Sequence, residues 1–180
     1  MIRIFIFAII INSGIRIVYS QETLETSGDI LQFALPVTAI ASTLFYPGDD
    51  KPHWQFVKSY AVTVISVHTL KRLIDKPRPN GGHFGFPSGH TASAFSGAAF
   101  LQKRYGWKIG IPAYLLAGFT GYTRINARQH DIYDVLAGAG IGILNACIFV
   151  KPLKKSKNKR LSINLLKNNN YYIAEIVYKF

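Results

Sequence analysis

The sequence predicts an all-α, membrane-embedded bundle of about five to six helices, followed by a small C-terminal β-hairpin. Three observations predict it. Charged residues make up 17% of the 180 residues and apolar ones 49%, against roughly 25% charge in an ordinary soluble domain. The apolar residues gather in five segments with little charge inside them. Within these, small residues recur four apart: Ala92 and Ser96, Ser93 and Gly97, Gly138 and Gly142. That spacing lets helix backbones approach closely in a bilayer. Alanine-rich faces also occur in soluble bundles, but scarce charge along every segment favours the membrane.

The elements follow in order. Arg3 precedes an apolar run from Ile4 to Ile11, and small residues stand just before Gln21. This is a signal-peptide pattern. Gly14 and Arg16 make the stretch a poor span, so residues 1–20 read as a signal peptide or a first membrane helix. Residues 21–150 form the helical domain, with segments at Ile30–Gly48, Phe56–Leu70, Gly89–Gln102, Ile109–Thr123 and Val135–Val150. Several are shorter than the ~20 residues a lone span needs, but short helices cross when tilted or bundled. Residues 151–160, "KPLKKSKNKR", carry six positive charges in ten positions and form a basic juxtamembrane segment. Residues 161–180 alternate apolar and polar on either side of Asn168-Asn169-Asn170, the pattern of a hairpin. A two-stranded hairpin alone is marginal in water and needs a surface to pack on.

Lys plus Arg exceed Asp plus Glu by 21 to 9, a net +12, which suggests an anionic partner: phosphate, a lipid headgroup or nucleic acid. If the segments alternate direction, Lys103, Arg104 and Lys108 share a side with the basic tail. The positive-inside rule makes that side cytoplasmic. The loop from Arg72 to Pro87, the turn at His90 and the stretch from Arg124 then share the outer face. The tail lies directly behind an apolar helix, where anionic lipid is a simpler partner than nucleic acid. Cys147 is the only cysteine, so no internal disulfide forms, and a buried small hydrophobe is its expected role. Nucleotide-binding and zinc-protease motifs are absent.

The outer-face stretches hold the chemistry. Lys71 ends the second segment. Arg78 stands between Pro77 and Pro79, which prevent helix and hold it in an extended loop. In Pro87-Ser88-Gly89-His90, Ser88 is a good helix cap and Gly89 permits close backbone approach. Free amides at a helix start form an anion site. His130 and Asp134 lie four apart and share a helix face, and a carboxylate on one imidazole nitrogen frees the other to attack or accept a proton. Arg124 borders an apolar helix, where charge marks function. His53, His68 and His83 have no placed partners, though His83 with Gly81, Gly82 and Gly85 could line an entrance. Asp131 and Arg128 pair locally or meet solvent, and Tyr122 and Tyr133 read as membrane-interface anchors.

Lys71 with Arg78-Pro79, Pro87-Ser88-Gly89-His90, and Arg124 with His130 and Asp134 resemble, in order and spacing, the three-part signature of the type 2 phosphatidic acid phosphatase superfamily. The one departure is Thr123, where the family usually has serine; the hydroxyl is kept. The resemblance implies a metal-free phosphatase without cofactor. His130 would attack phosphorus to form a phosphohistidine and Asp134 would hold its ring. His90 would protonate the leaving oxygen. Lys71, Arg78, Arg124, Ser88 and Gly89 would bind the phosphoryl oxygens. Three cations in one pocket would repel a divalent metal. The implied substrate is a lipid phosphomonoester or diphosphate at the outer, periplasmic face of a bacterial inner membrane. The loop and short length are similar to those of small lipid A phosphatases. Phosphatidylglycerol phosphate, phosphatidic acid and undecaprenyl diphosphate are competing substrates. A vanadate-dependent haloperoxidase shares the motifs, but such proteins are longer and soluble. A non-catalytic lipid-binding protein would not need all three motifs.

Overall fold

A computed structural model describes residues 2–45, 51–153, 161–168 and 171–178, with side chains described for 22–45 and 51–153. Five helices, α1 (Ile2–Phe45), α2 (Pro52–Ile74), α3 (Gly89–Tyr105), α4 (Trp107–Asn126) and α5 (Ile132–Phe149), precede two strands, β1 (Leu161–Asn168) and β2 (Tyr171–Tyr178). The strands pair antiparallel with Leu161 opposite Tyr178 and Asn168 opposite Tyr171, the hairpin that the alternation predicts. Asn169 and Asn170, Gly48 and residues 154–160 of the basic segment lie outside the described residues. The separate N-terminal stretch and first apolar segment of the sequence reading form one continuous helix, α1.

α3 is the axis of the bundle. It packs against each of the other four helices, and ten of its 17 residues are buried. Its small residues make this possible. A Cβ at Gly142 would lie 2.6 Å from the Ala92 carbonyl oxygen, one at Gly138 2.4 Å from that of Ser88, and one at Gly97 2.6 Å from the Leu35 carbonyl carbon. The four-residue spacings therefore mark where α5 and α1 touch the α3 backbone, as expected for close helix approach. Ala94, Ala98, Ala117 and Ala146 are fully buried around Phe100, which meets Phe56 edge-on at 5.1 Å. Pro36 inside α1 has no N–H to offer the Gln32 carbonyl. Ser93 of α3 donates its hydroxyl to that carbonyl at 2.7 Å instead, so the polar group does not go unpaired.

Large apolar side chains cover the outside, among them Phe33, Ile65, Leu115, Leu136, Leu144 and Ile148. Cys147 is on this outer surface too, not buried as its apolar neighbours suggest: on α5 the buried positions follow Gly138, Gly142, Asn145 and Ala146, and Cys147 falls off that stripe. Among the described residues, Glu22–Phe45 and Ile132–Phe149 are long and apolar enough to cross a membrane. Tyr122 and Tyr133 are exposed.

The two ends of the bundle differ as the charge pattern requires. At one end the Leu153 amide donates to the Arg104 carbonyl at 2.9 Å, the Lys151 amide to Gln55 at 2.8 Å, and Ser42 to the Tyr105 hydroxyl at 3.0 Å. Lys103 and Lys108 flank this end in the last turn of α3 and the first of α4. The opposite end gathers the end of α2, the loop 75–87, the start of α3, the end of α4, the start of α5 and, from α1, Glu25 and Asp29.

Candidate active site

The loop after α2 is compact because it bonds to itself. Asp75 ends α2 in the left-handed region, and the Phe84 amide donates to its carboxylate at 3.2 Å. The Gly85 amide donates to the Lys76 carbonyl at 2.6 Å, and the Arg78 amide to that of Gly82 at 2.7 Å, with Gly81 at φ 87° in the turn between. Two of the anticipated cations are thereby aimed inward. Lys71 Nζ donates to the Phe84 carbonyl at 2.6 Å. Arg78 donates from Nε to the His83 carbonyl at 3.0 Å and from Nη1 to Gln129 at 2.6 Å. His83 itself stays exposed on the loop, 3.5 Å from Asp75.

The starts of α3 and α5 are joined through the Ser88 amide, which donates to the Asp134 carbonyl at 2.9 Å. Asp131 and Asp134 cap α5 reciprocally, each carboxylate accepting the other's amide at 3.0 Å, a capping-box geometry. Lys76 bonds both carboxylates, at 2.8 Å for Asp134. This departs from the expectation that Asp134 grips the His130 ring. Its nearer oxygen is 3.6 Å from His130 Nδ1, beyond hydrogen-bond length. Nδ1 lies 2.6 Å from the Gly85 carbonyl oxygen. A carbonyl only accepts, so Nδ1 carries the proton and Nε2 holds the lone pair. Ser88 departs as well. Its side chain is fully buried, 2.9 Å from the Thr91 hydroxyl and accepting the Thr91 amide at 3.4 Å. Capping α3 takes up this hydroxyl, and Gly89 and His90 line the cavity in its place.

Two cavities meet at His130. One of about 370 Å³ runs between α1 and α2, with Lys71, Arg78, Gly89, His90 and His130 at one end and Phe33, Tyr60, Val64 and Val67 along it. His68 also lines it. The second, of about 260 Å³, is bounded by Glu25, Asp29, Arg78, His90, Arg124, Gln129 and His130. Of the eight anticipated residues, Lys71, Arg78, Gly89, His90, Arg124 and His130 thus border shared space, while Ser88 and Asp134 support from behind. Arg124 is buried: Nε donates to the Thr123 hydroxyl at 3.3 Å, Nη1 to Asp29 at 2.8 Å and Nη2 to the Glu25 carbonyl at 2.6 Å. The hydroxyl kept at Thr123 thus accepts a hydrogen bond from Arg124.

The family model described as the PAP2 superfamily matches residues 80–157. A lipid A 4'-phosphatase of Helicobacter pylori strain J99 is 31% identical over 146 residues, covering 74% of this chain and 73% of the relative. The chain belongs to the PAP2 superfamily. A lipid A 1-phosphatase of Helicobacter pylori strain 26695 is 33% identical over 110 residues, 56% of this chain and 58% of the relative. The crystal structure of Aquifex aeolicus LpxE superimposes with a TM-score of 0.62 at 24% identity, over 72% of this chain and 84% of the other. The expected membrane-embedded bundle is thus the fold, and the chain is a phosphoric-ester hydrolase of this superfamily.

Three polar residues of this PAP2 site, Glu25, Asp29 and Gln129, escaped the sequence reading, as did Lys76. Asp29 had one signal: it is an acid abutting the apolar run that begins at Ile30. Electrostatics favours the neutral form of His130. Burial, then the charges of Lys71 and Arg78, push its pKa down to about 4 against the opposing pull of the Gly85 bond and Asp134. The ring is therefore neutral at pH 7 and gains its proton only as pH falls through about 4. Imidazole NMR of histidine-labelled protein in detergent should show His130 flat between pH 8 and 5; a midpoint near 6.5 would contradict this.

Proposed function

We propose that the chain is a metal-independent phosphatase that hydrolyses a lipid phosphomonoester or diphosphate through a phosphohistidine on His130. The observation that carries this reading is the Nδ1 contact of His130 with the Gly85 carbonyl. It leaves Nε2 as the lone-pair nitrogen, in a cavity shared with Lys71 and Arg78, and among the described residues no hydrogen bond reaches Nε2. In the first step Nε2 bonds to phosphorus as the bond to the alcohol oxygen breaks. His90 supplies the proton to that oxygen. In the second step water attacks phosphorus, His90 takes back a proton, and phosphate leaves His130. Lys71, Arg78, Arg124 and the amide side of Gly89 hold the equatorial oxygens, whose charge is what such a site must stabilise. Asp134 acts through the α5 cap and Lys76, which fix the 130–134 segment.

The apolar walls of the larger cavity suit acyl chains leaving the phosphate toward the bilayer between α1 and α2. Lipid A is the leading substrate, on the strength of the relatives' activities, ahead of phosphatidylglycerol phosphate, phosphatidic acid and undecaprenyl diphosphate. The positive end faces the cytoplasm of a bacterial inner membrane and the site faces the periplasm. Residues 21–150 form the phosphatase domain, 151–160 the basic juxtamembrane segment and 161–180 the hairpin. Residues 1–20 act as a signal peptide or first membrane helix, and Glu25 and Asp29 further along α1 lie at the site face. Purified protein should release phosphate from this lipid panel in EDTA, fastest from lipid A, and yield acid-labile phosphate on His130 when quenched in alkali. Activity that EDTA removes, or none on any of these lipids, would overturn the reading.

A further inference from the structure

We propose that Asp29 is a positioning residue of the reaction, holding the His90 ring so that it delivers its proton to the departing oxygen. This rests on the roles proposed above for His130 and His90. Asp29 Oδ1 is 3.0 Å from His90 Nε2 and 2.8 Å from Arg124 Nη1. One carboxylate oxygen thus ties the first turn of α3 to the last turn of α4. The contact continues along one wall of the smaller cavity: Gln129 donates to Glu25 Oε1 at 3.2 Å and accepts from Arg78 at 2.6 Å. α1 supplies both acids of this wall, although none of the three signature motifs lies on it.

The backbone beneath Asp29 lies close against α4. A Cβ at Gly28 would lie 2.0 Å from Thr123 Oγ1 and 2.9 Å from Arg124 Nη2, so glycine lets α1 seat closely against α4 without displacing these side chains. A carboxylate mounted on so close a contact suits a fixed support better than a removable occupant of the phosphate site. Accepting a hydrogen bond from Nε2, it orients the ring and favours the proton-carrying form. Nδ1 is then the nitrogen left for the substrate. As the Nε2–phosphorus bond forms at His130 and the phosphorus–oxygen bond breaks, the Nδ1 proton of His90 passes to the departing alkoxide. The charged and titratable groups sharing the cavities with His90 are Glu25 and Asp29 from α1, Tyr60, His68 and Lys71 from α2, Arg78 from the loop, Arg124 from α4 and His130 from the α4–α5 turn; of these, Asp29 is the one in hydrogen-bond contact with the ring.

The test uses the full-length protein in detergent with two substrates. Phosphatidic acid must protonate its alkoxide, whereas p-nitrophenyl phosphate releases a stable anion without help. In Asp29→Asn, which keeps the shape, kcat/KM for phosphatidic acid should fall about 10- to 100-fold, a part of what general acid catalysis supplies, and that for p-nitrophenyl phosphate less than about 3-fold. The alkaline limb of the phosphatidic acid profile should move to lower pH, Asp29→Glu should recover part of the rate, and melting should match wild type. Equal loss on both substrates means a structural role and overturns the proposal. So does no loss, or faster turnover with tighter vanadate inhibition, the mark of a displaceable carboxylate. His130→Ala in parallel separates the two ideas. If it stays active, the site reading fails; if it is inactive while Asp29→Asn equals wild type, only the role of Asp29 fails.

Discussion

Replacing His130 with alanine is expected to reduce phosphate release by about 10⁴-fold or more, because removing the nucleophile removes the whole two-step route at once. The variant should still fold. The imidazole is almost fully buried, but among the described residues its one hydrogen bond is to the Gly85 carbonyl. Leaving that acceptor unpaired costs about 1–3 kcal/mol. The surrounding frame does not depend on the ring. The backbone of residue 130 is held by the Arg124 carbonyl at 3.3 Å, the α5 start by Lys76 and the reciprocal aspartate caps, and the α3 start by the Asp134 carbonyl. Lys71, Arg78 and Arg124 keep their backbone and side-chain anchors. Vanadate should therefore still raise the melting temperature of the variant while phosphate release and acid-labile labelling vanish. Release at the wild-type rate would end the assignment of His130.

The helices were legible in the sequence because lipid-facing and close-packed positions both leave a compositional trace: scarce charge outside, small residues at four-residue intervals inside. The spacing of Gly138 and Gly142 marked a close helix approach, though the partner, α3, is known only from the packed bundle. The cations and histidines were legible through their three motifs. The partners that set their chemistry were not. The group that fixes the His130 tautomer is the carbonyl of Gly85, and a backbone oxygen has no sequence signature. The sequence paired His130 with Asp134 by helical spacing, yet His130 precedes α5 and is not on it, so the i,i+4 geometry does not apply and Asp134 turns to the cap. Ser88 was open to two uses, and the need to satisfy the α3 start decided for capping. Asp29 stands 95 residues before Arg124; the packing of α1 on α4 brings them together, and that is a property of the packed bundle.

The same packing gives the second large effect. Gly142→Leu should destabilise the bundle by about 3 kcal/mol or more, at the upper end of what overpacking costs, and should remove activity even in protein that remains folded. The reason is the nature of the atoms met. A Cβ at 142 would stand 2.6 Å from the Ala92 carbonyl oxygen and 2.8 Å from the Ser96 nitrogen. These are backbone atoms of α3, which cannot rotate aside as a side chain would, so α5 must retreat from α3 as a body. His90 rides on the first turn of α3, and His130 stands next to Asp131, the N-cap of α5. Parting the helices therefore pulls the two imidazoles out of their common cavity, and a misplacement of about 1 Å is enough to cost about 100-fold in rate. Gly140 supplies the control on the same helix. Nothing lies within 4 Å of a Cβ there, so Gly140→Leu should leave activity near wild type and gain about 1 kcal/mol or less from helix propensity. Thermal melting in detergent and phosphate release, measured on both variants, distinguish the contact from the composition. Equal behaviour of the two would mean that the α3–α5 approach does not hold the histidines together.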